Sequence, residues 1–269
     1  MAIQISGTQV ISNSRGLTNI ASVDATTVAA LGAAGVGGGG PPAFDPTSTP
    51  NLTFTSSTTW TVPDLSSYSW VVFYIVAGGG SGSVDGTWAN SGGGGAAYLV
   101  ALTPDSLPSS IPIVIGAGGA NVTNSGGNTG GLSSINMGVT VFTTTGGRGG
   151  TGTNDQNAGP PGTVLMPQGG TLYSFSSADA NGGNSGGRDG LSGYPNGSTL
   201  GGAGGSGGRS GTLNAGGVST YAGDGGDGGA GGSNGSAAGH APGGGGGGTK
   251  TTSNGGNAGG NGSLRIYYY

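Results

Sequence analysis

Cysteine is absent from this sequence of 269 residues, and lysine and arginine together number only 6. A chain without thiols forms neither disulfides nor thiolate metal sites. A nucleic-acid-binding surface needs a concentrated basic stripe, which so few scattered cations cannot supply. We therefore expect no covalent cross-links, no ordinary zinc site and no nucleic-acid partner.

Glutamate is absent too, and all 10 acidic residues are aspartate. Aspartate favours turns because its short side chain bonds to nearby backbone groups, whereas glutamate favours helices. The sequence therefore predicts little or no long α-helix. The longest apolar run, from Trp70 to Ala77, is too short to span a bilayer, and the first residues do not resemble a secretory signal. We expect a product made in the cytoplasm without membrane insertion.

Catalytic residues are also scarce, because His240 is the only histidine. Cys-His catalysis and glutamate-based acid/base pairs are excluded, and no G-x-S-x-G motif accompanies the histidine. The stretch 243–250, GGGGGGTK, is not a phosphate loop because Thr249 separates the lysine from the last glycine. Asp224 and Asp227 miss the spacing of calcium-binding glycine repeats. We predict that the protein is not an enzyme and holds no cofactor or metal.

The composition divides the chain into three parts. Residues 1–36 alternate β-branched and polar residues in stretches too short to enclose a core, so they predict brief strands that pair with other chains. Residues 37–50 combine glycine and proline and predict a linker. Residues 51–269 alternate strand-like stretches with glycine-rich ones.

The strand-like stretches are rich in β-branched and aromatic residues and are bounded by glycine, proline or asparagine. They are residues 52–63, 70–77, 96–103, 111–117, 139–145, 171–178 and 263–269. Their apolar area is enough for one β-sandwich core. The last stretch follows a long glycine-rich region and must return to pair with earlier strands, so the glycine-rich region is expected to be an insertion into the β-structure.

The glycine-rich stretches carry two glycines in many groups of three, as in GDGGDGGAGG at 223–232. A helix with three residues per turn and no internal hydrogen bonds places every third residue on one face and bare backbone on the others. Its backbone groups must bond to neighbouring helices, which only glycine allows to approach. Asp224 and Asp227 share one face of such a helix and predict an edge position. The unbroken glycines at 243–248 predict a central one.

We therefore predict an all-β fold in which a β-sandwich framework carries an inserted bundle of polyglycine II helices, preceded by a short N-terminal segment. Collagen is excluded because it requires a proline-rich repeat with glycine at every third position.

Several segments together resemble the glycine-rich domain of bacteriophage tail-fibre and adhesin proteins. They are TWTVP, WVVFYIVAGGG, GGGGAAYLVALT, IPIVIGAGGA, GGNTGGLSSI and GGNGSLRIYYY, and the opening ISGTQVISNSRGLTNI is similar to short N-terminal segments of phage fibre proteins. The resemblance implies a virion protein, assembled in the host cytoplasm, whose distal loops contact the host surface. Residues 1–36 would form a fibre-like attachment to other tail or baseplate proteins. The resemblance, and the inability of this segment to bury itself, favour a homotrimer.

Aromatic residues between glycine stretches predict a binding surface, since rigid amphipathic rings give contact area at low entropic cost. The candidate receptor-binding residues are Trp88, Asn90, Tyr194, Asn196, Tyr221 and His240. Their partner would be a host cell-surface glycan or an outer-surface protein. The alternative is that the rings fold back over the bundle as caps and that the histidine is an ordinary exposed turn residue.

Two other functions remain open from the residues. The chain would then be a non-adhesive structural or spacer protein of the virion, or an ice-binding glycine-rich protein. Ice binding would favour a regular face of threonines, whereas the non-glycine positions of the repeats carry mainly Asp, Ala, Ser and Arg.

Overall fold

The protein is described here by a computed structural model. It describes residues 44–45, 47–84, 90–123, 125–150, 200–205, 215–228, 237–248 and 256–269, together with the backbone of strands at 3–5, 8–11 and 164–165. The chain forms two compact units, Met1–Pro42 and Ala43–Tyr269. In the first unit, strands β1 (Ile3–Ile5) and β2 (Thr8–Ile11) pair antiparallel.

The second unit is built from antiparallel strands. They are β3 (Leu52–Phe54), β4 (Thr58–Thr61), β5 (Val71–Val76), β6 (Ala97–Leu102), β7 (Ser110–Val114), β8 (Ser133–Asn136), β9 (Val141–Thr144), β10 (Val164–Leu165) and β11 (Ser263–Tyr268). One sheet has the order β3-β11-β5-β6 and the other the order β10-β9-β8-β7-β4. A single turn of 3-10 helix, Pro104–Ser106, is the only helix within the described ranges. The all-β prediction is confirmed.

The two sheets pack on one hydrophobic cluster, as in a β-sandwich. Trp60, Ile113 and Phe142 come from the five-stranded sheet, and Phe73 and Ile266 come from the four-stranded sheet. The rings of Trp60 and Phe73 meet edge to face with centroids 6.1 Å apart. Burial of these side chains supplies the main apolar driving force for folding of the unit.

The four-stranded sheet is buried on its second face as well, which explains why Val71–Val76 consists only of aliphatic and aromatic residues and is fully buried. Alternate β5 side chains enter a second cluster that Leu200 covers. The hydroxyl of Tyr74 donates a hydrogen bond to the Leu200 carbonyl oxygen. Phe44 packs edge to face on Tyr267 at 5.1 Å. Phe44 was predicted to lie in a linker at 37–50, but it belongs to the second unit.

The C-terminal strand β11 lies between β3 and β5, so the predicted return of the last strand is confirmed. Strand β8 was missed because its sequence begins with two serines. The Ser133 hydroxyl donates to the Val76 carbonyl oxygen and accepts from the Gly116 N–H, both at 2.9 Å, so this polar side chain is satisfied inside the sheet. The strand predicted at 171–178 lies outside the described residues.

Candidate functional site

The strands continue into glycine-rich runs at one end of the sandwich. Strand β5 leads directly into residues 77–84, and residues 256–262 lead directly into β11. The described runs are 78–84, 90–95, 116–121, 125–131, 145–150, 201–205, 215–219, 223–228, 237–240, 243–248 and 256–262. We call this set the glycine bundle, the end next to the strands its sheet end, and the opposite end its far end.

Hydrogen bonds between the runs repeat every three residues. In run 78–84, the N–H groups of Gly78, Ser81 and Val84 all donate to run 125–131. The N–H groups of residues 79 and 82 donate to run 256–262, and those of residues 80 and 83 donate to run 90–95. Successive residues therefore point in three directions, as a helix with three residues per turn requires.

Run 243–248 lies in the interior of the bundle. All its residues are buried, and it exchanges backbone hydrogen bonds with a ring of neighbouring runs. These are runs 78–84, 90–95, 201–205, 223–228, 237–240 and 256–262. The central position predicted for this run is what the hydrogen bonds show. Run 78–84 is also enclosed by neighbouring runs. Its interior position could not be predicted from the sequence, because the run contains serines as well as glycines.

The runs approach so closely that a side chain has no room. A Cβ atom on Gly246 would lie 2.1 Å from the carbonyl oxygen of Asn257, and one on Gly79 would lie 2.1 Å from that of Gly244. Real Cβ contacts are essentially never shorter than 3.0 Å. Glycine is therefore required by backbone contact in the interior. The polyglycine II conformation itself stays a prediction, supported by the three-residue hydrogen-bond period.

Two aspartates complete the hydrogen bonding at one edge of the bundle. The Asp224 carboxylate accepts the N–H of Ser219, and the Asp227 carboxylate accepts the N–H of Gly216, both at 2.8 Å. Donors and acceptors are each three residues apart on adjacent antiparallel runs. Within the described residues, the carboxylates thus accept hydrogen bonds that a carbonyl group of a further run would otherwise accept, which agrees with the predicted edge position.

The direction of the runs decides which connections lie at the far end. Gly78 bonds to Gly131 beside the strands, and Val84 bonds to Ser125 at the far end. At about 3.1 Å per residue, these two levels are roughly 19 Å apart. The described run ends that lie toward the far end are residues 84 and 90, 205 and 215, 228 and 237, and 248 and 256.

Tyr221 and His240 lie at the sheet end, which corrects their prediction as tip residues. Tyr221 is half-buried against the second hydrophobic cluster, and its carbonyl oxygen accepts a weak 3.4 Å hydrogen bond from Arg265. His240 is exposed, but its carbonyl oxygen accepts from Gly244 where the chain turns back beside the strands. Runs 215–219 and 237–240 both travel toward the sheets, so the turns after them cannot reach the far end.

The remaining predicted site residues are placed differently. Asn90 begins its run at the far end, but it is fully buried, and its carbonyl oxygen accepts the Ser83 N–H at 2.7 Å. Its side chain therefore does not form an exposed contact surface. Trp88, Tyr194 and Asn196 lie outside the described residues.

The electrostatics of the described residues are sparse. No group of three or more potential metal-ligating side chains occurs within the described ranges. No helix in the same ranges is long and apolar enough to cross a membrane. Burial raises the pKa of the Tyr74 hydroxyl above its ordinary value, and the nearby Arg265 charge opposes part of that shift. The Arg265 guanidinium lies 5.7 Å from the centre of the Tyr74 ring.

Comparison with known families agrees with this architecture. Residues 51–269 match a family described as a glycine-rich domain. The chain belongs to the glycine-rich domain family. The match covers the sandwich and the bundle and begins just before β3. No curated protein matches the chain.

Sequence reasoning missed two polar residues of β11, Ser263 and Arg265, which line a pocket at the sheet end. The signal was present as a two-residue alternation, since Leu264 and Ile266 face the core between the sheets. Polar residues at the intervening positions therefore belong to the other face.

Proposed function

We propose that this glycine-rich domain protein is an adhesin of a bacteriophage tail fibre. It binds a host cell-surface glycan or outer-surface protein through chain connections at the far end of the glycine bundle. The observation that carries the proposal is the convergence of several run ends at that end, away from the sandwich. The resemblance of the strand and glycine segments to phage adhesins supplies the biological setting.

The bundle suits the presentation of binding loops. Each interior run is held on all sides by backbone hydrogen bonds, so the ends of the runs are fixed relative to one another. Loops on a rigid scaffold bind with less loss of conformational entropy than loops on a mobile one. With only 6 cationic and 10 anionic residues, binding would depend on aromatic and hydrogen-bonding contacts more than on charge.

Trp88 is the strongest remaining candidate contact residue. The described residues on either side, Val84 and Asn90, both lie at the far end. Tyr194 and Asn196 remain candidates from the sequence alone. Tyr221, His240 and Asn90 are not part of the proposed contact surface, because of their positions and burial.

The proposal includes attachment of the first unit to other tail or baseplate proteins. Residues 1–36 would join the virion. In a homotrimer, strands β1 and β2 would also pair with strands of the other copies. The protein would then reside in the tail fibre after assembly in the host cytoplasm.

The test uses the purified full chain, fluorescently labelled, on a panel of bacterial strains. We expect the chain to label susceptible cells and to block adsorption of the phage that carries it. Trp88→Ala should weaken cell binding by about thirtyfold, as for a central aromatic contact. The control is Val139→Ala, in the β8–β9 hairpin at the end of the sandwich away from the glycine bundle. This variant should bind cells like the unaltered chain.

The opposing result is equally clear. A folded chain that co-purifies with virions, yet neither labels cells nor blocks adsorption, would be a structural component. The adhesin proposal would then be rejected.

A further inference from the structure

A small pocket lies at the sheet end of the glycine bundle. Its volume is about 270 Å³, and it lies where β3, β11 and the turn at 241–243 meet. The polar residues that line it are Thr53, Thr55, Asn261, Ser263 and Arg265. Pro242 forms part of its apolar wall. Hydroxyl, amide and guanidinium groups from separate elements therefore converge on one concave site.

Ser263 supplies a polar atom that the protein does not satisfy. Its side chain is only 5% exposed, and its hydroxyl has no hydrogen-bond partner among the described residues. A buried hydroxyl without a partner is unfavourable, because it has lost its bonds to water. A ligand oxygen in the pocket would restore that hydrogen bond.

Arg265 brings unused donors and a positive charge to the same wall. It lies directly opposite Thr53 in the sheet. Its guanidinium stacks over the Tyr74 ring and donates one weak bond to the Tyr221 carbonyl oxygen. It forms no ion pair with a carboxylate in the described part of the chain. A guanidinium has five N–H donors arranged to bind a carboxylate, and the Tyr221 carbonyl oxygen and the neighbouring Tyr267 hydroxyl use only some of them.

Asn261 has a different role, because its side-chain oxygen accepts the N–H of Gly118 at 2.8 Å. This bond fixes the amide group against the neighbouring run. The side-chain NH₂ group is left available as a donor at the edge of the pocket.

We propose that this pocket binds a saccharide unit bearing a carboxylate, of the uronic acid class. The arginine would bind the carboxylate, and the threonine, serine and asparagine groups would bind the sugar hydroxyls. A neutral hexose of similar size would lack the partner for the guanidinium. The site lies at the opposite end of the bundle from the proposed adhesive loops and does not depend on them.

The experiment titrates the purified full chain with glucuronate, galacturonate and glucose at millimolar concentrations, followed by amide chemical shifts in NMR spectra. We expect at least one uronate to shift the amide signals of residues 262–265 and 53–55 saturably, and to bind about tenfold or more tightly than glucose. No shift with either uronate, or equal binding of glucose, would overturn the proposal.

Ser263→Ala is the decisive variant. The hydroxyl makes no bond within the described protein, so its removal should leave thermal stability unchanged or slightly higher. The same variant should weaken uronate binding by about fivefold, since a ligand hydrogen bond is lost. Unchanged uronate affinity in this variant would refute the assigned role of the hydroxyl.

Thr53→Val and Thr59→Val form a matched pair. Both threonines are exposed on strands, but Thr59 lies on β4 in the other sheet and does not line the pocket. Only Thr53→Val should reduce uronate affinity. Equal effects of the two substitutions would mean that the shifts arise from nonspecific sugar contact, and the proposal would fail.

Discussion

Gly246→Ala tests the claim that the bundle is held together by contact between backbones. The added methyl group would lie 2.1 Å from the Asn257 carbonyl oxygen and 2.6 Å from that of Ala258. Runs 243–248 and 256–262 would have to separate by about 1 Å to relieve these overlaps. The alternative, a loose glycine loop, would accept alanine without strain.

The expected loss in the free energy of unfolding follows from the backbone hydrogen bonds that join the two runs. They are Gly243 N–H to Asn261, Gly260 N–H to Gly244, and Asn257 N–H to Gly247, with lengths of 2.8, 2.7 and 3.2 Å. A separation of about 1 Å would lengthen them beyond hydrogen-bonding distance. Each buried group left unpaired costs about 1–3 kcal/mol, so the free energy of unfolding should fall by at least about 3 kcal/mol.

Alanine in place of glycine also has a stabilising effect, so whether the variant is less or more stable than the unaltered protein distinguishes the two cases. Alanine restricts the unfolded chain more than glycine does, and this stabilises a site that can accept it by about 0.4–1 kcal/mol. A net loss of about 2–3 kcal/mol corresponds to a fall in Tm of roughly 5–10 °C for a domain of this size. Thermal unfolding followed by circular dichroism, together with urea titration, measures both quantities.

Gly131→Ala is the control within the same bundle. A Cβ on Gly131 would meet its nearest atoms, Ala117 N and Gly116 Cα, at 3.0 Å, so a small local shift accommodates it. Its effect should stay within about 1 kcal/mol. If Gly246→Ala were as stable as the unaltered protein or more so, close backbone packing would not be what requires glycine at the centre.

Two further predictions concern the edge of the bundle and the sandwich core. Asp224→Ala removes the acceptor of the Ser219 N–H and should lower the free energy of unfolding by about 1–2 kcal/mol in urea titrations. Asp224→Asn keeps an acceptor oxygen and should lower it less. Equal stability of both variants and the unaltered protein would show that this bond contributes nothing. Burial raises the pKa of Tyr98 to about 12, so the folded state holds this proton more tightly than the unfolded state does. The contribution of the bound proton to the free energy of unfolding is complete below about pH 10 and is lost as the pH rises toward 12. Tyr98→Phe should therefore lose less stability than the unaltered protein between pH 10 and 12, and an identical alkaline profile would contradict the assignment.

Much of the fold could be predicted from residue types. β-Branched and aromatic stretches gave most strands of the sandwich, and the absence of glutamate agreed with the lack of α-helix within the described ranges. Strand β8 could not be found in this way, because Ser133 is stabilised there by partners distant in sequence, the Val76 carbonyl and the Gly116 N–H. Phe44 looked like part of a linker until Tyr74 and Tyr267 supplied its contacts.

The candidate site was harder to predict. The turns that contain Tyr221 and His240 have the same mixture of small and polar residues as the segments that follow residues 84, 205, 228 and 248. Composition shows that the chain turns, but not in which direction the preceding run travels. That direction depends on how the runs are threaded between the strands, which is a property of the whole unit.

The sequence by itself determined how neighbouring runs pack side by side, because the absence of a side chain acts locally. Where glycine recurs, the backbones of two runs can come into contact. Where Asp224 and Asp227 follow each other at a spacing of three residues, the run lies at an edge of the bundle. Only the tertiary structure decided which of the described run ends lie beside the sheets and which lie toward the far end. It also brought Ser263 and Arg265 of the last strand together with Thr53 of an early one, since antiparallel pairing joins residues that are far apart in the chain.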